Sequence, residues 1–270
     1  LKLDSNYTDA YYNRGIAYYN KQDYDSAIAD FNQALKLDPN YFNQVLKLDS
    51  NYTDAYYNRG IAYYNKQDYD SAIADFNQVL KLDSNYTEAY YNRGIAYYNK
   101  QDYDSAIADF NQALKLDPNY IDAYYNRGLA YRNRKDYDSA IADFNQALKL
   151  DPNYIDAYYN RGNYYCKKKD YDSAIADYNQ ALKFNPNYTE TYNNRGNVYY
   201  NKKDYDSAIA DYNQALKLNP NYTIAYYNRG NAYKNKGNKD QAVEDYKKVL
   251  ELNRDVQLSQ LAEKQLQELL

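Results

Sequence analysis

One glycine recurs along this chain at a constant interval, and the interval limits the folds that the chain can adopt. Consecutive copies stand 34 residues apart at Gly60, Gly94, Gly128, Gly162, Gly196 and Gly230. A further copy, Gly15, precedes Gly60 by 45 residues. A period of this length is typical of a solenoid, in which each unit buries its apolar face against its neighbours.

The copy at Thr87–Tyr120 indicates what one period specifies, namely two helices. Tyr90, Gly94 and Tyr97 follow the spacing i, i+4, i+7 and therefore share one face of a first helix. A glycine inside a helix costs about 1 kcal/mol relative to alanine, so it needs a packing reason. We expect Gly94 to provide the groove that the ring of Tyr97 enters.

The second helix of the period is amphipathic. Its apolar positions are Tyr103, Ala106, Ile107, Phe110, Ala113 and Leu114. The opposite face, which includes Asp109, is expected to be solvated. Asp102 is expected to cap this helix, and Asp117-Pro118 is expected to end it. Because two short helices are marginal alone, the pairs should stack on one another.

These positions resemble the tetratricopeptide repeat, whose pattern is W-x2-L-G-x2-Y…A-x3-F…P. The residues that carry the resemblance are Tyr90, Gly94, Tyr97, Ala106, Phe110 and Pro118. Tyrosine stands where tryptophan is usual, and Arg93 stands where leucine is usual. The resemblance implies an all-α fold, a right-handed superhelical α-solenoid of antiparallel helix hairpins.

The period divides the chain into a tandem array at 1–256 and a C-terminal capping helix at 257–270. The predicted full repeats are 8–41, 53–86, 87–120, 121–154, 155–188, 189–222 and 223–256. Residues 1–7 match the tail of a preceding repeat. Since the sequence has no methionine, we expect a fragment, a processed form or a trimmed form.

Residues 42–52 nearly duplicate 31–41 and are assigned to a partial repeat. Two interpretations stay open. The segment is a repeat that has lost its first part, or it borders sequence that is missing. If the chain is continuous, Pro39 could begin an extra short helix that runs to about Leu48.

Composition excludes several classes of function. Lys+Arg 33 against Asp+Glu 37 gives a net charge of −4, which argues against nucleic acid or an anionic membrane as partner. No apolar run approaches the ~18 residues of a membrane span. The chain has no histidine, and Cys166 is its single cysteine. We therefore expect no catalytic residues, no metal and no cofactor.

Paired acids such as Asp102 and Asp104 could suggest a metal or glycosidase site. They recur at the start of nearly every second helix, so helix capping explains them better.

Each first helix has a second face, apart from the one that carries Tyr90, Gly94 and Tyr97. In the copy at Thr87–Tyr120 this second face consists of Glu88, Tyr91, Ile95 and Tyr98. We interpret this second face as not needed for packing within the hairpin. In tetratricopeptide arrays the first helices line the concave side, where peptides or proteins bind. By that resemblance, the predicted peptide-binding residues are Tyr57, Asn58, Tyr91, Asn92, Tyr125, Asn126, Tyr159, Asn160, Asn163, Asn194, Asn197, Tyr227 and Asn228.

The chemistry of this face favours an extended neutral or basic segment as partner. Asparagine can pair with a peptide backbone, and tyrosine offers rigid contact area with a polar tip. Acids on this face, at Asp54, Glu88, Asp122, Asp156 and Glu190, argue against capture of a carboxylate. The face also changes from apolar to polar as Ile61, Ile95 and Leu129 give way to Asn163, Asn197 and Asn231.

A second recurring residue, represented by Arg93, is expected to have a structural role. Its stem should cover the core, and its guanidinium should reach an acid such as Asp109.

Three functions follow as hypotheses. The first is a non-enzymatic protein- or peptide-binding scaffold, in which alanine at Asn126 and Asn160 weakens the partner without unfolding the array. The second is self-assembly into a head-to-tail homo-oligomer. The third is the recognition arm of a larger enzyme.

Overall fold

The computed structural model describes residues 8–37, 50–252 and 255–269. Within these ranges every regular element is an α-helix, so the predicted all-α class is confirmed. The predicted tail at 1–7 lies outside the described residues. So do 42–49 of the partial repeat and the short helix that Pro39 could begin.

The chain forms two compact units, Leu1–Gln146 and Ala147–Leu270. The first unit contains α1 (Thr8–Asn20), α2 (Tyr24–Leu37), α3 (Ser50–Asn65), α4 (Tyr69–Leu82), α5 (Thr87–Asn99), α6 (Tyr103–Leu116), α7 (Ile121–Asn133) and most of α8 (Tyr137–Leu150). The second unit contains α9 (Ile155–Lys167), α10 (Tyr171–Phe184), α11 (Thr189–Asn201), α12 (Tyr205–Leu218), α13 (Thr223–Lys236), α14 (Lys239–Leu252) and α15 (Val256–Leu269).

The ends of α6 follow the predicted signals. The side chain of Asp102 accepts a hydrogen bond from the backbone N–H of Ser105 at 3.2 Å. At the other end, Asp117 leaves the helical conformation with φ −126° and ψ 96°, directly before Pro118. Both predicted boundaries are confirmed, since Asp102 satisfies a backbone donor and Pro118 keeps the preceding residue extended.

Gly94 allows α5 and α6 to pack closely, although its partner differs from the predicted one. A Cβ atom at Gly94 would lie 2.8 Å from Cε1 of Phe110, too close for two carbon atoms. The glycine therefore makes room for Phe110, which is fully buried. The expectation that Gly94 accommodates Tyr97 is wrong, because Tyr97 lies half-buried beside this cluster.

The core of the first unit joins each hairpin to the next first helix. Ala106, Ile107 and Phe110 of α6 form one cluster with Ala130 of α7. Alanine at this place brings α7 close to the ring of Phe110, so the hairpins bury apolar surface against one another.

In the second unit tyrosine replaces phenylalanine at the corresponding place. The buried tyrosines at this place are Tyr178, Tyr212 and Tyr246. The last of them packs with Leu258 and Leu266 of α15, whereas Leu261 of α15 is 47% exposed. None of the described helices has both the length and the apolar character required to cross a membrane.

The recurring arginine links three helices through its guanidinium. In α5, Arg93 donates from Nε and Nη2 to the carboxylate of Asp109 at 2.7 and 2.6 Å. Its Nη1 donates to Oδ1 of Asn77 in the preceding repeat at 2.5 Å. The predicted pairing of Arg93 with Asp109 is confirmed. The expectation that Asp109 is solvated is wrong, because this residue is 5% exposed.

The same ion pair recurs through both units. The other pairs are Arg14–Asp30, Arg59–Asp75, Arg127–Asp143, Arg161–Asp177, Arg195–Asp211 and Arg229–Asp245.

The turn between the two helices of a repeat places a non-glycine residue in the left-handed region. Gln101 has φ 63°, whereas Gly237 has φ 90° in the last repeat. Because a side chain in this region costs about 1–2 kcal/mol, Gln101→Gly is expected to stabilise the array by about 0.5–1 kcal/mol. Thermal unfolding checks this. The neighbouring control Lys100→Gly, at φ −76°, should destabilise instead. A loss of stability in Gln101→Gly would contradict the expectation.

Candidate ligand-binding face

The first-helix face, represented by Glu88, Tyr91, Ile95 and Tyr98, takes part in packing. The ring of Tyr91 lies 6.0 Å from that of Phe110 in the same hairpin and 4.8 Å from that of Tyr120. The interpretation that this face is not needed within the hairpin is therefore wrong. Equivalent ring contacts are Tyr57–Phe76, Tyr125–Phe144, Tyr159–Tyr178 and Tyr227–Tyr246.

The predicted asparagine row connects neighbouring repeats. Nδ2 of Asn92 donates to Oη of Tyr57 in the preceding repeat at 2.8 Å and to the carbonyl oxygen of Glu88 at 2.8 Å. Asn126 makes the same two bonds, to Tyr91 at 3.0 Å and to the carbonyl oxygen of Asp122 at 2.9 Å. The two amide hydrogens are thus used inside the protein, and Oδ1 is the atom that can accept a hydrogen bond from a ligand.

A second row of amide–phenol bonds runs parallel to the first, and the sequence reasoning missed it. Asn99 donates to Oη of Tyr64 at 2.8 Å, and Asn133 donates to Oη of Tyr98 at 3.0 Å. The signal was present, because a tyrosine and an asparagine recur together one period apart at these places. Each pair joins two successive repeats.

In the second unit asparagine also donates hydrogen bonds to the preceding repeat, although one acceptor residue differs. Asn194 donates to Oη of Tyr159 at 3.1 Å and to Oδ1 of Asn163 at 3.1 Å. Asn228 donates to Oδ1 of Asn193 at 3.0 Å, so Asn193 provides the acceptor that a tyrosine provides elsewhere. The replacement of tyrosine by Asn193 therefore preserves the bond between repeats.

The polar residues of the second unit have a structural partner in the core. Oδ1 of Asn197 accepts a hydrogen bond from the buried hydroxyl of Tyr212 at 2.8 Å. The same bond joins Asn163 to Tyr178 and Asn231 to Tyr246. The change from isoleucine to asparagine on this face thus accompanies the change from phenylalanine to tyrosine in the core, because a buried hydroxyl requires a partner.

All thirteen predicted peptide-binding residues are half-buried. The first unit brings together Tyr57, Asn58, Tyr91, Asn92, Tyr125 and Asn126, and Asn58 donates to Oη of Tyr12 at 3.0 Å. The second unit holds Tyr159, Asn160, Asn163, Asn194, Asn197, Tyr227 and Asn228. Their contact with a ligand stays a prediction.

The tyrosines of this face lie in an environment that disfavours the phenolate. Burial, and then the carboxylate of Glu88, raise the pKa of Tyr57 to about 12. Burial, and then Asp122, raise the pKa of Tyr91 to about 12. Negative potential therefore accompanies the phenol rings along this face.

These pKa values predict alkaline unfolding. An unfolded tyrosine ionises near pH ~10, whereas the folded Tyr57 and Tyr91 ionise only near about 12, so the unfolded state loses protons first. The stabilisation is complete below pH ~10 and is lost as the pH rises towards 12. Helical circular dichroism should be lost together with the part of the tyrosinate absorbance that appears as the buried tyrosines ionise, above pH ~10. Full ionisation of the phenols with helix content unchanged would contradict this.

The described residues suggest no other reactive centre. Cys166 is half-buried, and burial raises the pKa of its thiol, which disfavours the reactive thiolate. Among the described residues, no three His, Cys, Asp or Glu side chains are grouped so that they could hold a metal ion.

Comparison with known proteins points to one family. Models described as tetratricopeptide repeat match residues 8–41, 40–87, 57–121, 91–155, 144–176 and 223–256. A model described as TPR repeat matches residues 162–203 and 196–237. Comparison with the curated proteins gave no match.

Solved structures share the fold. The structure of MamA protein is 31% identical with a TM-score of 0.59, over 62% of this chain and 91% of that one. YrrB, described as a TPR protein with an unusual peptide-binding site, is 25% identical with a TM-score of 0.61, over 70% and 97%. The C-terminal part of a TPR repeat-containing protein from Cytophaga hutchinsonii is 18% identical, with a TM-score of 0.74 over 92% and 98%.

The family matches run without interruption from residue 8 to residue 256, over paired helices of the kind that the resemblance implied. This chain belongs to the tetratricopeptide repeat family.

Proposed function

We propose that this protein is a non-enzymatic interaction scaffold that binds an extended segment of a partner protein along the first-helix face. The observation that carries the proposal is the combination of polar and aromatic groups at half-buried positions. Tyr91 and Asn92 keep part of their surface in contact with solvent while their positions are fixed by bonds to neighbouring repeats. Rigid tyrosines of this kind bind with little loss of conformational entropy.

The family relationship supports the same function. YrrB carries a peptide-binding site according to its description, and its structure matches 70% of this chain. The second helices make a less suitable surface. Their exposed residues, such as Asp104 and Gln112, are mostly polar or charged, and the aromatic exception on the described second helices is Phe184 of α10, which is 38% exposed.

Photo-crosslinking tests the proposal. Peptides selected by display against the whole chain are synthesised with a photoreactive residue, and the cross-linked positions are identified by mass spectrometry. We expect cross-links on α5 and on the other first helices, near Ile95 and Tyr98. An excess of the same peptide without the photoreactive group should abolish them.

Cross-links confined to exposed positions of second helices, such as Gln112 and Lys115, would contradict the proposal. Selection that yields no binding peptide at all would contradict it as well. Alanine at Asn126 is not a suitable probe, because it also removes the bond to Tyr91 in the preceding repeat.

A further inference from the structure

Among the described ring contacts, carboxylates flank pairs of tyrosine rings at three places on the first-helix face. We call each place a tyrosine–acid rung. The rungs are Asp54/Tyr57/Tyr86/Glu88, Glu88/Tyr91/Tyr120/Asp122 and Asp156/Tyr159/Tyr188/Glu190. In these rungs the two ring centroids are 5.1, 4.8 and 5.0 Å apart, respectively.

The carboxylates lie close to the phenols of their rungs. The hydroxyl of Tyr86 donates to Oδ1 of Asp54 at 3.3 Å. Burial, followed by Asp156, the phenol of Tyr159 and Glu190, raises the pKa of Tyr188 to about 12. Each described rung therefore concentrates negative charge beside electron-rich rings.

The protein pairs many acids of its second helices with lysine or arginine, whereas three acids of the rungs have no such partner among the described residues. On the second helices, Asp109 pairs with Arg93, and Asp70 pairs with Lys100. Within the described residues, by contrast, Glu88, Asp156 and Glu190 form no ion pair with lysine or arginine, and all three are exposed. A surface that exposes these three carboxylates is complementary to a cationic partner.

We propose that the tyrosine–acid rungs bind the lysine or arginine side chains of an extended partner segment. This inference rests on the proposed function and names the chemistry of its ligand. An ammonium or guanidinium group gains a charge-assisted hydrogen bond from the carboxylate and a cation–π contact from a tyrosine face. Glu88 belongs to two rungs, so successive basic side chains of one segment can share it.

The corresponding place at the junction of the last two repeats provides an internal comparison. There Asn193 takes the place of the first tyrosine, and Ile224 takes the place of the second acid, although Tyr222 and Glu190 remain. Ile224 packs against the cluster that contains Leu258 of α15. This end of the face is therefore expected to contact apolar or neutral residues of the segment.

Fluorescence anisotropy with two model peptides tests the inference. One is a blocked, labelled peptide of repeated Gly-Lys-Ser triplets, and the other has glutamine in place of every lysine. We expect the lysine peptide to bind the whole chain about tenfold more tightly, with affinity that falls as salt rises. Glu88→Gln should weaken the lysine peptide about fivefold and leave the glutamine peptide unchanged.

Glu263→Gln is the matched control, because it removes the same charge from an exposed position on α15. Equal binding of the two peptides, or equal effects of the two variants, would overturn the inference. If the display-selected peptides still cross-link to first helices, the proposed function survives that outcome. Light scattering of the protein alone tests whether a second copy of the chain occupies the rungs. Salt-sensitive dimers that Glu88→Gln dissociates would assign the rungs to a second copy of the chain and overturn the proposal.

Discussion

Asp109→Ala is expected to lower the free energy of unfolding by about 3–5 kcal/mol, because it leaves the guanidinium of Arg93 without its buried partner. Asp109 is 5% exposed and accepts two hydrogen bonds from Arg93. Because Arg93 also donates a hydrogen bond to Asn77, the preceding repeat should lose stability as well. Hydrogen exchange in α4, α5 and α6 measures the effect, since repeat arrays open locally.

The control for this variant is Asp104→Ala on the same helix. Asp104 pairs with Arg134 at 2.8 Å, but its side chain is 77% exposed. Exposed ion pairs contribute little to stability. The amide hydrogens of this variant should therefore exchange almost as fast as those of the wild-type protein. Equal hydrogen exchange in the two variants would contradict a stabilising role of the buried arginine–aspartate pairs.

Asn197→Ile is expected to destabilise the second unit by about 1–3 kcal/mol, because it removes the acceptor of a buried hydroxyl. The hydroxyl belongs to Tyr212, which is 1% exposed and donates to Asn197 at 2.8 Å. Isoleucine fits this place sterically, as Ile95 does beside Phe110 in the first unit. The lost hydrogen bond should therefore dominate, and urea unfolding with hydrogen exchange in α11 and α12 measures it.

The matched control adds Tyr212→Phe to Asn197→Ile and so recreates the isoleucine–phenylalanine pair of the first unit. This double variant should recover most of the lost stability. Tyr212→Phe alone should have a small effect, because water can reach the half-buried amide of Asn197. Asn197→Ile and the double variant would be equally unstable if the hydrogen bond did not matter.

The parts of the fold that depend on one repeat were predictable from the sequence. The helix pair, the cap at Asp102 and the pairing of Arg93 with Asp109 all follow from helical periodicity and from local charge. The family resemblance rested on the same few positions. These features involve residues within about one period of each other, where helix geometry alone fixes which side chains share a face.

The contacts between repeats were not predictable in the same way. The bond from Asn92 to Tyr57 depends on how far one hairpin is displaced from the next, and no single-helix pattern contains that distance. The role of Asn197 was missed for another reason. Its partner, Tyr212, lies on a different helix, and only the joint change of the two residues along the chain could have connected them.

The most direct test of the ligand-binding account is a crystal structure of the whole chain with a lysine-containing peptide selected by display. We expect an extended peptide along the first-helix face, with a lysine Nζ within about 3 Å of the carboxylate of Glu88 and near the ring of Tyr57 or Tyr91. A peptide seated on the second helices, or one that places neutral residues at every tyrosine–acid rung, would contradict it.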